Sequence, residues 1–320
     1  MINILILSVG TRNKIVQYFK KELNDNGLVI ATDCNELAPA LYDADKSYIV
    51  PKITDEKYLD VILDICKKEK INAVLSLIDP ELSLISLNKD KFLEIGTTPI
   101  VSEYDDVELC LDKYKTFNFL KENGFKTIKS YVDKEVFYKD VEEGRINYPV
   151  FVKPVKGSAS LNINKVFCKE QVELLFSQHN NLIIQEYMDG KEYGVDAYID
   201  MISNELVSIF IKEKIKMRAG ETDKSISLKN EKITNLVKEL IQKSNFKGVI
   251  DIDIFEKYGE YYISEVNPRF GGGNPHAYEC GVNIPKMIIK NLQGEINKPQ
   301  INNYKEDIYM MKYNEIKVMG

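Results

Sequence analysis

Tyr261-Tyr-Ile-Ser-Glu-Val-Asn-Pro-Arg-Phe-Gly-Gly-Gly273 is the stretch that decides the fold of this 320-residue chain. Directly before it runs Gly248-Val-Ile-Asp-Ile-Asp-Ile-Phe255, in which acidic residues alternate with apolar ones. Because side chains of a strand alternate between its two faces, this pattern predicts a strand with Asp251 and Asp253 on one face. The polar segment 257–260 then predicts a hairpin turn into a second strand, which begins the quoted stretch.

Oxygen-bearing side chains gather at this predicted hairpin, with Asp253 on the first strand and Glu265 and Asn267 on the second. Mg²⁺ prefers such hard oxygen ligands and usually keeps phosphate oxygens in its shell. Arg269 follows two residues later, and its planar guanidinium fits phosphate oxygens. The alternative is an edge hairpin whose acids are simply solvated. Two carboxylates, an amide and a guanidinium around one turn favour the metal–phosphate interpretation.

The bulk composition is that of an ordinary globular protein, with 44% hydrophobic and 29% charged residues. The net charge of -6 argues against a nucleic-acid partner, because such proteins neutralise phosphates with excess Lys and Arg. No apolar stretch approaches the ~20 residues of a membrane span, and the N-terminus lacks a basic leader. The five cysteines are scattered and show no CxxC spacing, so we expect reduced thiols in a cytoplasmic protein.

Strands alternate with helices in the first third of the chain, beginning with an apolar run over Asn3–Val9 and a helical pattern over Asn13–Asn24. This alternation predicts a parallel, doubly wound sheet. The turn Gly10-Thr11-Arg12 lacks the Gly-x-Gly-x-x-Gly pattern, which argues against NAD binding. Ligands of such sheets bind beyond the carboxyl ends of strands, which makes Asp79 and Glu81 candidate substrate contacts.

The pattern changes after residue 112. A succession of strand, loop, strand, helix and strand over 148–187 predicts a small antiparallel α+β unit. Long strands and a clear helix over Glu231–Ser244 follow, and a short tail strand is predicted near Tyr309–Tyr313. The polar segment Thr222–Asn230 is predicted to be a mobile lid.

The order of seven motifs carries more information than any one of them. They are Asp112-Lys113, Phe151-Val-Lys-Pro154, Lys156-Gly-Ser-Ala-Ser160, Gln185-Glu-Tyr-Met188, Gly190-Lys-Glu-Tyr-Gly-Val-Asp196, Asp251-Ile-Asp253 and Glu265-Val-Asn-Pro-Arg269. Together they resemble the ATP-grasp superfamily of carboxylate–amine ligases, and within it the ATP-binding half of the carbamoyl-phosphate synthetase large chain. The resemblance implies a mixed α/β and α+β fold: a Rossmann-like pre-ATP-grasp domain over 1–110, a small ATP-grasp subdomain over 111–187, and a large subdomain with a C-terminal tail over 188–320.

The resemblance also implies which residues hold the nucleotide. Those expected to contact the phosphates are Lys113, Lys153 and the loop residues Lys156, Gly157, Ser158 and Ser160. Those expected at the adenosine are Glu186, Tyr187 and Met188 for the base, the last two through their backbone, and Glu192 for the ribose hydroxyls. Each of the lysines would otherwise be a solvated surface cation.

The remaining implied roles concern the metal and the reacting groups. Asp253, Glu265 and Asn267 would bind one or two Mg²⁺ ions, with Mn²⁺ as a substitute. Arg269 and Arg218 would act as catalytic cations at the acylating centre, and His276 would contact substrate. A single histidine more often serves the structure, and a lone charge on a loop is usually solvated.

The activity implied by the resemblance is ATP-dependent formation of a carbon–nitrogen bond. ATP would phosphorylate a small carboxylate, such as an amino acid, and an amine would displace phosphate from the acyl-phosphate. No side-chain nucleophile is needed, which agrees with the absence of a Cys–His or Ser–His pattern. The alternative is an ATP-binding subunit or kinase-like module of a split carbamoyl-phosphate-synthetase-type enzyme. The expected partners are small molecules, and the sequence leaves a homodimer open.

Overall fold

A computed structural model describes residues 1–157 and 163–318 of the chain. Three separate sheets organise these residues: a parallel five-stranded sheet, an antiparallel four-stranded sheet and an antiparallel six-stranded sheet. The predicted fold class, an α/β lobe followed by two α+β units, is therefore confirmed. The division at residues 110 and 187 stays a prediction.

The N-terminal lobe is built around the parallel sheet, with strand order β3-β2-β1-β4-β5. Its β1 is apolar throughout and fully buried, as strands covered on both faces must be. The order reverses between β1 and β4, which opens a crevice at the carboxyl ends of these strands. The elements are β1 (Ile4–Leu7), α1 (Asn13–Leu23), β2 (Val29–Asp33), a 3₁₀ helix (Pro39–Asp43), β3 (Lys46–Ile49), α2 (Tyr58–Glu69), β4 (Ala73–Ser76), α3 (Asp79–Leu87), α4 (Lys89–Glu94) and β5 (Thr98–Pro99).

The second unit carries the four-stranded antiparallel sheet, in the order β6-β9-β7-β8. The helix after Asp112 begins there because the Asp112 carboxylate accepts hydrogen bonds from the backbone N–H groups of Tyr114 and Lys115. The elements are α5 (Tyr104–Leu111), α6 (Lys113–Glu122), β6 (Ser130–Tyr131), α7 (Lys134–Glu142), β7 (Val150–Pro154), β8 (Asn164–Val166), α8 (Lys169–Gln178) and β9 (Leu182–Glu186).

The third unit carries the six-stranded antiparallel sheet, in the order β14-β13-β10-β11-β12-β15. The predicted hairpin is confirmed, since β13 pairs with β14 in antiparallel register. The tail strand is also confirmed at the predicted place. The elements are β10 (Lys191–Ile199), β11 (Leu206–Arg218), β12 (Glu221–Leu228), α9 (Glu231–Gln242), β13 (Gly248–Lys257), β14 (Glu260–Asn267), α10 (Asn274–Glu279), α11 (Ile284–Leu292) and β15 (Tyr309–Met311).

The predicted lid over Thr222–Asn230 is wrong. Most of this segment is β12, which lies between β11 and β15 in the six-stranded sheet. Its serines are buried because they have polar partners: Ser225 hydrogen-bonds His276, and Ser227 donates to the backbone carbonyl of Lys305. The polar composition of this segment suggested that it is exposed. In the structure its serine hydroxyls are buried and are satisfied by hydrogen bonds to distant residues.

One apolar core fixes the N-terminal lobe against the third unit. It joins β1 and α1 to α11, and the ring of Phe19 packs edge-on against Phe270 with 5.9 Å between centroids. Because Phe270 directly follows Arg269, this contact brings the carboxyl ends of β1 and β4 next to the end of β14. No helix in the described part of the chain has the length and apolar character that a membrane span needs.

Candidate functional site

A cleft of about 710 Å³ lies where the three units meet. All three contribute to its walls, which is the usual setting of a small-molecule site. Twelve of the predicted site residues line it, and they are Asp79, Lys113, Lys153, Lys156, Gly157, Glu186, Met188, Glu192, Asp253, Glu265, Asn267 and Arg269. Ser158 and Ser160 lie outside the described residues.

One end of the cleft is apolar. Its walls there include Phe151, Met188 and Phe255, with the polar side chains of Gln185 and Glu186 beside them. Glu186 is partly exposed and lies 3.4 Å from the ammonium of Lys257. The Tyr187 side chain is not among the lining groups; its ring packs against Phe151. This end can therefore accept a flat apolar ring and offer polar groups to its edge.

The predicted phosphate-binding lysines differ in how they are held. Within the described residues, the Nζ of Lys153 has no hydrogen bond or ion pair, and burial lowers the pKa of its ammonium. Lys113 Nζ donates to the carbonyl of Gly157 at 2.6 Å. Lys156 turns outward, where its Nζ lies 2.8 Å from the Glu108 carboxylate. Lys153 is thus the cation most ready to receive an anion.

The acidic wall is formed by the hairpin β13–β14. Asp253 pairs with Glu265 in the strand register, and Asp251 pairs with Asn267, so the four side chains project from neighbouring positions. No hydrogen bond or ion pair holds the side chain of Glu265 or Asn267 among the described residues. Their free oxygens are hard donors of the kind that Mg²⁺ takes.

Asp253 differs from the other two predicted metal ligands because it already has a cationic partner. Lys214 Nζ lies 2.5 Å from its carboxylate and 2.8 Å from that of Glu192. Burial and the neighbouring acids Asp251 and Glu192 raise the pKa of Asp253, and Lys214 opposes that shift. In the residues the structure describes, no group of three or more His, Cys, Asp or Glu side chains has the arrangement of a metal site.

Lys214 was missed by the sequence analysis. Burial disfavours its charge, but the carboxylates of Asp253 and Glu192 outweigh burial and raise the pKa of the ammonium. A second lysine of the same strand, Lys212, forms a fully buried ion pair with Asp196. Lys212 and Lys214 are spaced by two directly after the buried run of β11, which places both ammoniums on one face, and that spacing was the available signal.

Arg269 is mostly buried, with 12% of its side chain exposed, and is held by carboxylates from two units. Its Nε and one terminal nitrogen donate to Asp79 at 3.1 to 3.3 Å, and the other terminal nitrogen lies 3.3 Å from Asp251. Burial opposes its charge, yet Asp79 and then Asp251 raise the pKa of the guanidinium. A side chain at Gly271 would collide with the Asp251 carboxylate, so the first glycine after Phe270 leaves room for this pair.

Besides Tyr187, three predicted site residues do not line the cleft. Glu81 is fully buried beneath the crevice, where it accepts hydrogen bonds from the hydroxyls of Ser8, Tyr58 and Ser76. A carboxylate with all of these partners and no exposure does not contact substrate, so this prediction is wrong.

His276 is likewise buried, between Ser225 and the carbonyl of Ile308, and does not line the cleft. Burial lowers the pKa of its imidazole to about 4. Arg218 points to the surface and pairs with Asp223 at 3.1 Å, although its neighbours Met217 and Ala219 line the cleft. Neither side chain lines the cleft, so the catalytic role expected for Arg218 and the substrate contact expected for His276 are corrected.

Comparison with known proteins agrees with this arrangement. Residues 4–100 match the family model described as "PylC-like, N-terminal domain", and residues 110–273, just over half of the chain, match the model described as "ATP-grasp domain". The 2-oxoglutarate carboxylase biotin carboxylase domain of Hydrogenobacter thermophilus, solved with MgADP, ADP and bicarbonate, superimposes with a TM-score of 0.76 at 18% identity, over 96% of this chain and 73% of that one.

Two curated relatives are similar in sequence. The carbamoyl phosphate synthase large chain of Clostridium acetobutylicum is 24% identical over 85% of this chain, which spans only 26% of that relative's length. The coenzyme gamma-F420-2:alpha-L-glutamate ligase of Methanococcus maripaludis is 26% identical over 66% of this chain and 76% of its own. The chain belongs to the ATP-grasp family, with a PylC-like N-terminal domain ahead of its ATP-grasp domain.

Proposed function

We propose that this chain is an ATP-dependent ligase that activates a small carboxylate and joins it to an amine, releasing ADP and phosphate. One observation carries the proposal: the ammonium of Lys153 and the side-chain oxygens of Glu265 and Asn267 share one cleft, and among the described residues none of them has a hydrogen bond or ion pair. A cation and oxygen donors without partners in this part of the chain are poised for a phosphate and its metal ion.

The apolar end of the cleft is proposed to bind the adenosine. Phe151, Met188 and Phe255 can sandwich the base, while Glu186 and the backbone of Tyr187 and Met188 meet its edge. Glu192 is proposed to accept hydrogen bonds from the ribose, which it can do while keeping its ion pair with Lys214. The phosphates then extend toward Lys153 and Lys113.

Glu265 and Asn267 are proposed to hold Mg²⁺, with Mn²⁺ as a substitute, and Asp253 joins them through its second oxygen. When bound, the ion would neutralise charge on the phosphoryl group that is transferred. Lys214 fits this set because its ammonium balances the carboxylates of the acidic wall. The cleft therefore does not depend on a bound metal ion to remain folded.

Arg269 is proposed to stabilise the reacting centre. A carboxylate oxygen of the substrate attacks the γ-phosphorus, the bond between that phosphorus and ADP breaks, and an acyl-phosphate forms. The amine then attacks the acyl carbon, the carbon–oxygen bond to phosphate breaks, and the amine proton passes to solvent. Negative charge grows on oxygen in both steps, and a guanidinium held rigidly by Asp79 and Asp251 is already in place to meet it.

The alternative, a subunit or kinase-like module of a split carbamoyl-phosphate synthetase, is less well supported. The glutamate ligase relative matches over 76% of its length, whereas the synthase large chain matches over 26%. The larger matched share of the glutamate ligase favours the ligase over a part of the synthase, and the PylC-like model matches residues 4–100.

The test is ADP and phosphate release by the full chain with Mg²⁺ and ATP, measured across the common amino acids singly and in pairs, with mass spectrometry of the products. The proposal expects at least one pair to release both ADP and phosphate and to yield an amide. Release of AMP, or a stable phosphorylated product from a single substrate with no amide from any pair, would refute the ligase assignment.

A further inference from the structure

Arg12 is a cation of the cleft that has no part in the proposed nucleotide and metal sites. It lies on the turn between β1 and α1, and its side chain lines the cleft from the N-terminal lobe. One terminal nitrogen, Nη2, lies 2.8 Å from Glu221. Its Nε and Nη1 have no hydrogen-bond partner among the described residues. Since a guanidinium carries five donors in a fixed fork, most of its capacity remains free.

The surroundings of Arg12 keep this fork accessible. Glu221 is also bound by Lys312 of the C-terminal tail at 2.5 Å, so two cations share one carboxylate. The backbone beside them carries no side chain, because residue 272 is a glycine. A Cβ at Gly272 would lie 3.2 Å from Arg12 Nη1 and 2.9 Å from the Glu221 carboxyl carbon. Asp79, Asp251 and the carbonyl of Phe270 take most of the N–H groups of Arg269, so Arg12 is the guanidinium of the described cleft with more donors to spare.

A second cavity, of about 280 Å³, opens beside this end of the cleft. It occupies the crevice at the carboxyl ends of the parallel strands, and its walls are mainly Val50, Pro51, Ile53 and the ring of Tyr58. Ile78 lines both the cavity and the cleft, so the two spaces adjoin. The buried carboxyl of Glu81 lies beneath it, bonded to Tyr58, and presents no free charge.

We propose that the amine substrate is an amino acid with an apolar side chain, whose free carboxylate binds Arg12 and whose side chain enters this second cavity. Arg12 supplies N–H donors and a positive charge that match a carboxylate, and the aliphatic walls favour a group that is poorly hydrated. This inference deepens the proposed function and rests on it for the identity of the reaction. It concerns the acceptor alone, because the carboxylate that is activated must reach Arg269.

The first test measures binding without turnover. The melting temperature of the full chain is followed with Mg²⁺, a non-hydrolysable ATP analogue and, in turn, L-leucine, L-methionine and L-phenylalanine, each compared with its carboxamide; L-lysine and L-glutamate serve as polar comparators. We expect an apolar amino acid to raise the melting temperature and its carboxamide to lose that effect. Equal shifts for acid and amide, a larger shift with L-glutamate, or no shift with any of the three would overturn the inference.

Two variants separate recognition from structure. Arg12→Gln should abolish the difference between acid and amide, and Arg12→Lys should restore only part of it because an ammonium lacks the fork. Arg145→Gln, a half-exposed arginine of the second unit, is the matched control and should keep the difference. In the turnover assay Arg12→Gln should raise the acceptor KM at least tenfold and leave the KM for ATP within twofold.

A substitution that fills the second cavity tests the binding of the side chain independently of Arg12. Thr54→Trp places a large ring at the exposed edge of the cavity, so we expect it to fold normally and to weaken binding of L-phenylalanine more than that of L-alanine. Undiminished binding of L-phenylalanine would contradict the assignment of the cavity. ATP-dependent ADP release that persists while these acceptor effects fail would sink this inference and leave the proposed function standing.

Discussion

Replacing Arg269 should affect both folding and chemistry, and the two effects can be separated. Arg269→Ala removes the partner of Asp79 and Asp251, whose side chains are only 9% and 13% exposed. Two carboxylates then remain in a poorly solvated site without the cation that pairs with them directly. Breaking a buried ion pair by removing one partner costs about 3–5 kcal/mol of unfolding free energy, and this is the loss we expect.

Arg145→Ala is the matched control. Arg145 also pairs with two carboxylates, Asp140 and Glu143, but its side chain is 47% exposed. Exposed pairs contribute about 0–1 kcal/mol because water and salt screen them. The two arginines therefore differ in burial far more than in their number of acidic partners, and their variants should differ by several kcal/mol in urea unfolding followed by circular dichroism.

The rate effect is measured under conditions where both variants are folded. Loss of one preorganised donor typically raises a barrier by about 3 kcal/mol, which is a hundredfold or more in rate. We expect Arg269→Ala to lower the rate of ADP release by that factor, while calorimetry shows nearly unchanged ATP affinity. Equal unfolding free energies for the two variants, or a defect confined to ATP affinity, would refute the reasoning.

Three further outcomes are expected. Glu265→Gln and Asn267→Ala should abolish ATP turnover, measured by ADP release, with little change in melting temperature, since neither side chain has a described partner to lose; full activity in either would remove it from the metal set. Lys153→Ala should weaken ATP binding in calorimetry, because this ammonium has no partner among the described residues and is proposed to contact phosphates in ground and transition states alike; unchanged affinity would contradict this. His276 takes up a proton in the unfolded chain near pH 6.5 but in the folded one only near 4, so the unfolding free energy should fall as pH drops through that window. His276→Asn should remove this part of the pH dependence in urea titrations, and an unchanged profile would show that His276 is not responsible.

Local sequence patterns were sufficient for the hairpin of the site and for most of the elements, with β12 as the exception. Asp251 and Asp253 alternate with apolar residues, and the period of two fixed their common face before any tertiary contact was known. The order of the motifs predicted the family, and most of the predicted nucleotide and metal residues do line one cleft. Periodicity and turn residues act over a few positions, which is why they can be read from the chain alone.

The tertiary structure decided which polar side chains face the cleft and which satisfy one another in the interior. Glu81, His276 and Asp79 were all candidate substrate contacts in the sequence. Only Asp79 reaches the cleft, where it pairs with Arg269, 190 positions further along the chain. Arg12, Glu221 and Lys312 come together from the two ends and the middle of the chain. Such pairings depend on how three separately formed sheets pack, because burial and hydrogen-bond partners are set by distant segments that no local pattern encodes.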